Sequence, residues 1–318
     1  MSNSKALYRD FSEKASLPLQ LLPWWWDAIC EDSWDVVLAK EENGEIIGAL
    51  PYQVKRKSGF KVMTPPPFTT YNGPYVKYPA DKTLKEPGKI AFQKKVYQSL
   101  IEKLPKTAFT AFHFHPESGS WLPFYWKGFQ QTSRYTYLLD MNQALEEIEA
   151  QFKQSVRTDL RKSADQIQIK ESKDVKILYQ LANSSFHRQG MQIPYSLEKL
   201  ERLFKSLEKH KAGKIWLAID KENQKPHAAL MVAWDDTKAH ALVSGQDLDF
   251  KSSPAIYSLF SHAIHYLHGK VSVLDLEGSM IENVEHFLRG FGGNLTPYHR
   301  VTKFGNSFFK IASTLFGK

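Results

Sequence analysis

A chain of 318 residues with one cysteine, Cys30, cannot close a disulfide on itself or build a metal site on paired thiolates. That scarcity of thiols fits a reducing interior. No run of about 18 apolar residues occurs, so no segment has the length to span a bilayer as a helix. The leading MSNSKALYRDFSEK has no apolar signal core. The expected location is the cytoplasm, out to the inner face of the cell membrane. Nucleophilic catalysis lacks its usual pattern: no Ser-His-Asp or Cys-His arrangement can be read, and the 11 histidines are scattered. His113 and His115 lie two apart on one strand face, but no third ligand is signalled near them, so no metal is expected. Basic residues do not gather with aromatics into one stripe, which ranks nucleic-acid binding last among the tasks considered.

What the chain does have is material for two cores. Hydrophobic residues make up 42% and aromatics 13%, too much for disorder, and the length is about twice that of a common domain. Lys and Arg exceed Asp and Glu by 42 to 34, a net charge of +8 that favours an anionic partner. An internal echo supports two modules: VVLAKEENGEIIGALPYQV near the start and IWLAIDKENQKPHAALMVAW later both read as strand, turn, strand. One fold used twice accounts for the echo and the length together.

The stretch from Val271 to Val301 carries most of the functional reading. Val271, Val273, Leu274 and Leu276 predict a buried strand, followed by the carboxylate, glycine and hydroxyl of Glu277, Gly278 and Ser279. Ile281, Val284, Phe287, Leu288 and Phe291 fall at helical spacing, and Gly292-Gly293 predicts the stop. Glu277 is a candidate for holding or deprotonating an amine, with a cap for the following helix as the alternative.

Elsewhere, Trp24 to Trp26 form a cluster that caps the first core or serves as an interface. Three prolines in VMTPPPFTTYNGPYVKY predict a rigid loop running into a short edge strand. Residues 142–165 predict one long helix, acidic first and basic later. Arg157 and Arg161, four apart, share a face suited to a phosphate or pyrophosphate, or to solvent. Ser252-Ser253-Pro254 predicts a helix start. The tail from Phe304 to Lys318 is amphipathic and either docks on the first module or rests on a membrane carrying a lipid-linked substrate.

LDLEGSM followed by ENVEHFLRGFGGNLTPY resembles the end of the second module of FemAB/FemX-like proteins, tandem GNAT-fold enzymes that include the peptidoglycan bridge aminoacyltransferases. The resemblance extends more weakly over nearly the whole chain. It implies a mixed α/β fold of two tandem GNAT-like modules, over 1–140 and 141–303, with 304–318 as a tail. It implies a loop bordering the substrate cleft at Tyr71, Asn72, Gly73 and Tyr75, a basic helix at Arg157 and Arg161, acceptor handling by Arg188 and Tyr195, and a phosphate-facing Arg289. Ser279 joins that substrate-binding set and Glu277 is the catalytic candidate.

The activity implied is amide formation between an activated acyl or aminoacyl donor and an amine, with a peptidoglycan precursor as the named acceptor. Acyl-coenzyme A and aminoacyl-tRNA both remain open as donors. The coenzyme A loop, Arg/Gln-x-x-Gly-x-Gly/Ala at a helix start, is missing from GQDLDFKSSPA and DKTLKEPGKIA, which moves weight to the tRNA-dependent kind. No helical arm for tRNA is evident between Val175 and Leu207, which moves it back. A coenzyme-A-dependent N-acetyltransferase and a non-catalytic binding protein are the competing expectations.

Overall fold

The computed structural model describes residues 3–79, 84–250, 253–278, 280–305 and 310. The chain forms two units, Met1–Arg134 with Pro297–Lys318, and Tyr135–Thr296. The first unit therefore takes back residues 297–303, which the sequence reading groups with the second module.

In the first unit, α1 (Asn3–Ser12) and α2 (Pro23–Cys30) precede the strands β1 (Trp34–Lys40), β2 (Ile46–Lys57), β3 (Phe60–Met63) and β4 (Tyr75–Val76). Then come α3 (Glu86–Lys103), β5 (Phe109–His113) and α4 (Leu122–Trp126). The tryptophan cluster is core here: Trp25 and Trp26 are fully buried, and their indole N–H groups donate to Thr69 Oγ1 and the Gln20 carbonyl, each at 3.0 Å. Burying an aromatic of this size stabilises by roughly 2–3 kcal/mol once its polar atom is satisfied. Lys55, Arg56 and Lys57 complete β2, and the turn falls on Ser58 and Gly59, both at positive φ. A second core of Val96, Leu100, Phe112, Phe114, Phe124 and Val301 lies against the sheet.

Two strands straddle the division between units, β6 (Gln130–Asp140) and the last strand, β12 (Asn294–Phe304). Between them the second unit runs α5 (Leu145–Ala150), α6 (Gln154–Gln166), β7 (Ile167–Ser172), α7 (Val175–Arg188), α8 (Leu197–Lys209), β8 (Gly213–Asp220), β9 (Pro226–Trp234), β10 (Lys238–Gln246), α9 (Ala255–Leu267), β11 (Val273–Asp275) and α10 (Glu282–Arg289). Strand order is β1-β2-β3-β5-β12 in the first unit, with β4 on β2, and β6-β11-β10-β9-β8-β7 in the second.

The echo seen in the sequence has a structural counterpart finer than two hairpins. β1 pairs with β2 and β8 with β9, both antiparallel, and the ladder slips between Ala39 and Lys40 in one and between Ala218 and Ile219 in the other. Both alanines are fully buried, and each slip sits at the same place in the shared LA pattern. A bulge increases local twist and re-aims the strand end, so repeating it repeats the bend of the sheet.

The expected long helix over 142–165 is two helices, α5 and α6, with a break at Gln151 to Lys153. The break lets Phe152 pack edge-to-face on Phe291 at 5.4 Å and lets the Lys153 N–H donate to the Gly290 carbonyl at 2.9 Å. β7 is a further strand that the polar sequence IQIKES does not announce. β10 and β11 are parallel neighbours, and α9 supplies the crossover that parallel strands require. α9 starts with Pro254 at its cap rather than a serine; Ser252 lies outside the described residues. Most of the tail, 306–309 and 311–318, also lies outside them.

Candidate active site

In the second unit β10 pairs with β11 over only three residue pairs, Lys238 with Val273, Ala239 with Leu274 and His240 with Asp275. β11 then ends, and Leu276, Glu277 and Gly278 leave the sheet. The turn is wound around Asp275, which is fully buried. Asp275 Oδ1 accepts from Thr136 Oγ1 at 2.5 Å and from the Glu277 N–H at 2.9 Å, and Lys238 Nζ lies 3.4 Å from its Oδ2. Thr136 Oγ1 in turn accepts the Gly278 N–H at 2.9 Å. A buried carboxylate is stable only when its lone pairs are occupied in this way.

Two consequences follow for the sequence. Glu277 is forced to φ 57°, a left-handed conformation that costs a non-glycine residue about 1–2 kcal/mol. Gly278 must be glycine, because a Cβ there would stand 2.4 Å from Thr136 Cα and from the Tyr135 carbonyl.

The strained turn aims the Glu277 carboxylate back at the sheet. Its Oε1 lies 2.8 Å from His240 Nδ1, and the side chains are 15% and 5% exposed. A carboxylate only accepts, so Nδ1 carries a hydrogen and donates it to Glu277. A carboxylate that fixes the tautomer of a histidine is the arrangement used to prepare a general base. The helix-cap alternative does not fit: α10 begins at Glu282 with Ile281 as its cap.

α10 itself is held by Tyr137, whose hydroxyl donates to Glu285 Oε1 at 2.5 Å, and Glu285 pairs with Arg289 Nε at 3.0 Å one turn on. Burial, and next the bond to Glu285, pushes the Tyr137 phenol up to about 12. The Tyr137 hydrogen bond, with Arg289 nearby, holds Glu285 below the usual carboxylate range. Arg289 is thus a half-exposed arginine tied to its own helix. The helix stops earlier than the sequence suggests, at Arg289 with Gly290 at φ −61° as its cap, so Phe291 lies beyond it. Gly292 and Gly293 follow at φ of 76° and 84°, and a Cβ on Gly292 would meet Gln151 Cβ at 2.6 Å.

The other sequence candidates do not converge on this pair. Arg157 Nη2 donates to Gln154 Oε1 at 3.0 Å on α6, and Arg161 on the same helix is exposed. Arg188 is exposed at the end of α7, while the Tyr195 ring packs against Tyr179 and Phe186 at 6.2 and 6.4 Å, where burial raises its phenol. In the first unit Asn72 is buried and zipped to β5, its N–H donating to the His113 carbonyl and its Oδ1 accepting the His113 N–H, both at 2.9 Å. Tyr71 is buried with its ring edge-on to Tyr298 at 5.2 Å, and a Cβ on Gly73 would reach Phe114 Cα at 2.8 Å. Tyr75, half-buried on β4, packs on Phe11. These four hold the proline-rich loop to the sheet. Ser279 lies outside the described residues.

His240, Asp275, Thr136 and Lys238 are what sequence reasoning missed. A signal existed for two of them: in KAHALVSGQ, Lys238 and His240 are polar residues on alternate positions, leading into the apolar Ala241-Leu242-Val243. Thr136 has none, since its role depends on which strand lies beside β11.

No protein-family model matches the sequence, and no curated protein matches it. Solved structures do match in fold. The crystal structure of FemX aligns over 100% of this chain and 99% of its own, with a TM-score of 0.67 and 11% identity. The C-terminal DUF2156 domain of a lysylphosphatidylglycerol synthetase candidate from Agrobacterium fabrum aligns over 99% and 96%, with a TM-score of 0.59 and 12% identity. A tandem GNAT protein from the clavulanic acid biosynthesis pathway aligns over 95% of both chains, at 0.53 and 8%. The chain has the FemX-like tandem GNAT fold, two GNAT-like modules in one polypeptide.

Proposed function

We propose that the chain is an acyltransferase that forms an amide between an activated acyl or aminoacyl donor and an amine, with Glu277 and His240 taking the proton the amine loses. The amine nitrogen attacks the donor carbonyl, the C–N bond forms, and the C–O or C–S bond to the leaving group breaks. The amine proton passes to His240 Nε2 while Glu277 stabilises the resulting imidazolium, and the leaving group collects a proton as it departs. The observation that carries this is the 2.8 Å Nδ1 to Oε1 contact at the end of β11, where a strained residue is held in place by a buried carboxylate. Positioned general bases contribute about 10²–10⁴-fold to such steps, and a fold without a nucleophile pattern suits direct attack.

Among amine acceptors, a peptidoglycan precursor fits the sequence resemblance. For the donor, the described residues ahead of α9 form no glycine-rich N–H cradle; Gln246 Nε2 instead donates to the Phe250 and Ser253 carbonyls at 2.8 and 2.9 Å. That favours aminoacyl-tRNA over coenzyme A. The experiment is a product assay by mass: acetyl-coenzyme A and aminoacyl-tRNA, each offered with a UDP-linked muropeptide and with a simple diamine. Amide product from aminoacyl-tRNA is expected. Product from acetyl-coenzyme A alone would reassign the donor, and no product from any pair would remove the activity.

A further inference from the structure

The first unit gathers cations on one sheet face, and among the described residues no carboxylate pairs with either arginine of the group; the exposed Glu117 lies 4.0 Å from His115 Nδ1. Arg300 on β12 stands directly opposite His113 on β5 in the antiparallel ladder, which puts their Cβ atoms about 5 Å apart on the same face. Tyr298, two residues earlier, shares that face, its ring 5.9 Å from the His113 ring. His299 faces the other way and meets Gln131 Nε2 at 2.9 Å. Arg134, three residues after Gln131 on β6, therefore has the opposite parity and returns to the face of Arg300.

The electrostatics agree with that geometry. Burial, then Arg134, lowers the Arg300 guanidinium from its ordinary value. Burial, then Arg134 and Arg300, lowers His113 to about 4, against a hydrogen bond to the Thr70 carbonyl at 3.2 Å that acts the other way. Tyr71 and His115 pack edge-to-face nearby, and the carboxylate beside His115, Glu117, has a side chain 84% exposed to solvent. Among the described residues neither guanidinium has a hydrogen-bond or ion-pair partner. Two half-buried like charges side by side destabilise a fold unless something balances them.

We propose that Arg134, Arg300 and His113 form a binding site for a phosphoryl group in the first unit. Two guanidiniums carry two positive charges and ten N–H donors in planar forks. A phosphate ester carries three acceptor oxygens for those forks, and its charge of about −1.5 to −2 balances the two cations, whereas a lone carboxylate leaves one charge over. The His113 Nδ1–H donates to Thr70, so Nε2 is the nitrogen that gains a proton once an anion removes the repulsion from the arginines. This site is in the other unit from Glu277 and stands or falls without reference to acyl transfer.

The probe is inorganic pyrophosphate, titrated calorimetrically into the full chain at low salt, with the His113 ring followed by NMR. Saturable binding is expected, with the His113 resonance moving towards its protonated position. R134Q and R300Q should each weaken binding by about tenfold, and R134K with R300K, which keeps the charge and loses the forks, should weaken it less. Lys57→Gln, an exposed control in the same unit, should change nothing. UDP and phosphatidic acid vesicles then separate a soluble nucleoside diphosphate from a lipid phosphomonoester; arginine-dependent binding of either supports the site. Binding that survives in the double glutamine variant, succinate binding as tightly as pyrophosphate, or a His113 resonance that does not move would overturn it.

Discussion

Glu277 Oε1 and His240 Nδ1 meet at 2.8 Å between a turn and the strand next to it, although 37 residues separate them in sequence. Because the proton would rest on the imidazole while the carboxylate steadies it, the two side chains act as one base. E277Q and H240Q should each lower kcat by about 10²–10⁴-fold with little change in KM for the donor. The double variant should be no slower than the worse single one, as expected for groups that act as a unit. Additive losses in steady-state assays would separate the pair.

Gly278 and Gly88 make a contrasting test of packing. Gly278→Ala drives a methyl to 2.4 Å from two backbone atoms and should cost about 3 kcal/mol or more in urea unfolding. Gly88→Ala, in the first turn of α3 with its nearest neighbour 3.5 Å away on Leu84, should stabilise by about 0.5–1 kcal/mol.

Thr136 never touches the proposed reacting atoms, yet it serves Asp275 and Gly278 at once. Thr136→Val removes the donor to a buried carboxylate and the acceptor for a backbone N–H, at a cost of about 2–3 kcal/mol in unfolding free energy. It should also reduce kcat, because the turn that aims Glu277 loosens. Serine at the same position keeps the hydroxyl and should restore most of both.

His113 sets a pH dependence for the first unit. Folded, it stays neutral down to about 4, whereas the unfolded chain takes the proton near 6.5, so acid favours unfolding. Its contribution is complete above 6.5 and is lost as pH falls towards 4, amounting to at most ~3 kcal/mol. Thermal melts from pH 7 to 4 should therefore fall less steeply for H113N than for the unchanged chain. Pyrophosphate should flatten the slope of the unchanged chain in the same way.

The parts of this molecule that were legible in sequence are those written locally. The two hairpins show in the alternation around LA, and even the bulges recur at Ala39 and Ala218. The left-handed Gly292 and Gly293 and the acid at the end of the strand were likewise readable from neighbours alone, although the helix itself ends at Arg289. What was not legible depends on register between distant strands. His240 becomes Glu277's partner only when β10 and β11 align as parallel neighbours, and Arg134 joins Arg300 only through the parity of Gln131 and His299. The helix over 142–165 misled because propensity favours continuity, while Phe152 and Lys153 gain more from meeting Phe291 and Gly290. Tyr71, Asn72 and Gly73 look like binding residues in a loop, yet their side chains and close approach are spent on β5 and β12.

Single-turnover amide formation, followed at saturating amine for the unchanged chain and for E277Q, bears most directly on the proposed chemistry. The account predicts a rate at least about 100-fold lower in E277Q, with a melting temperature close to that of the unchanged chain. An E277Q rate equal to the unchanged chain's would contradict it.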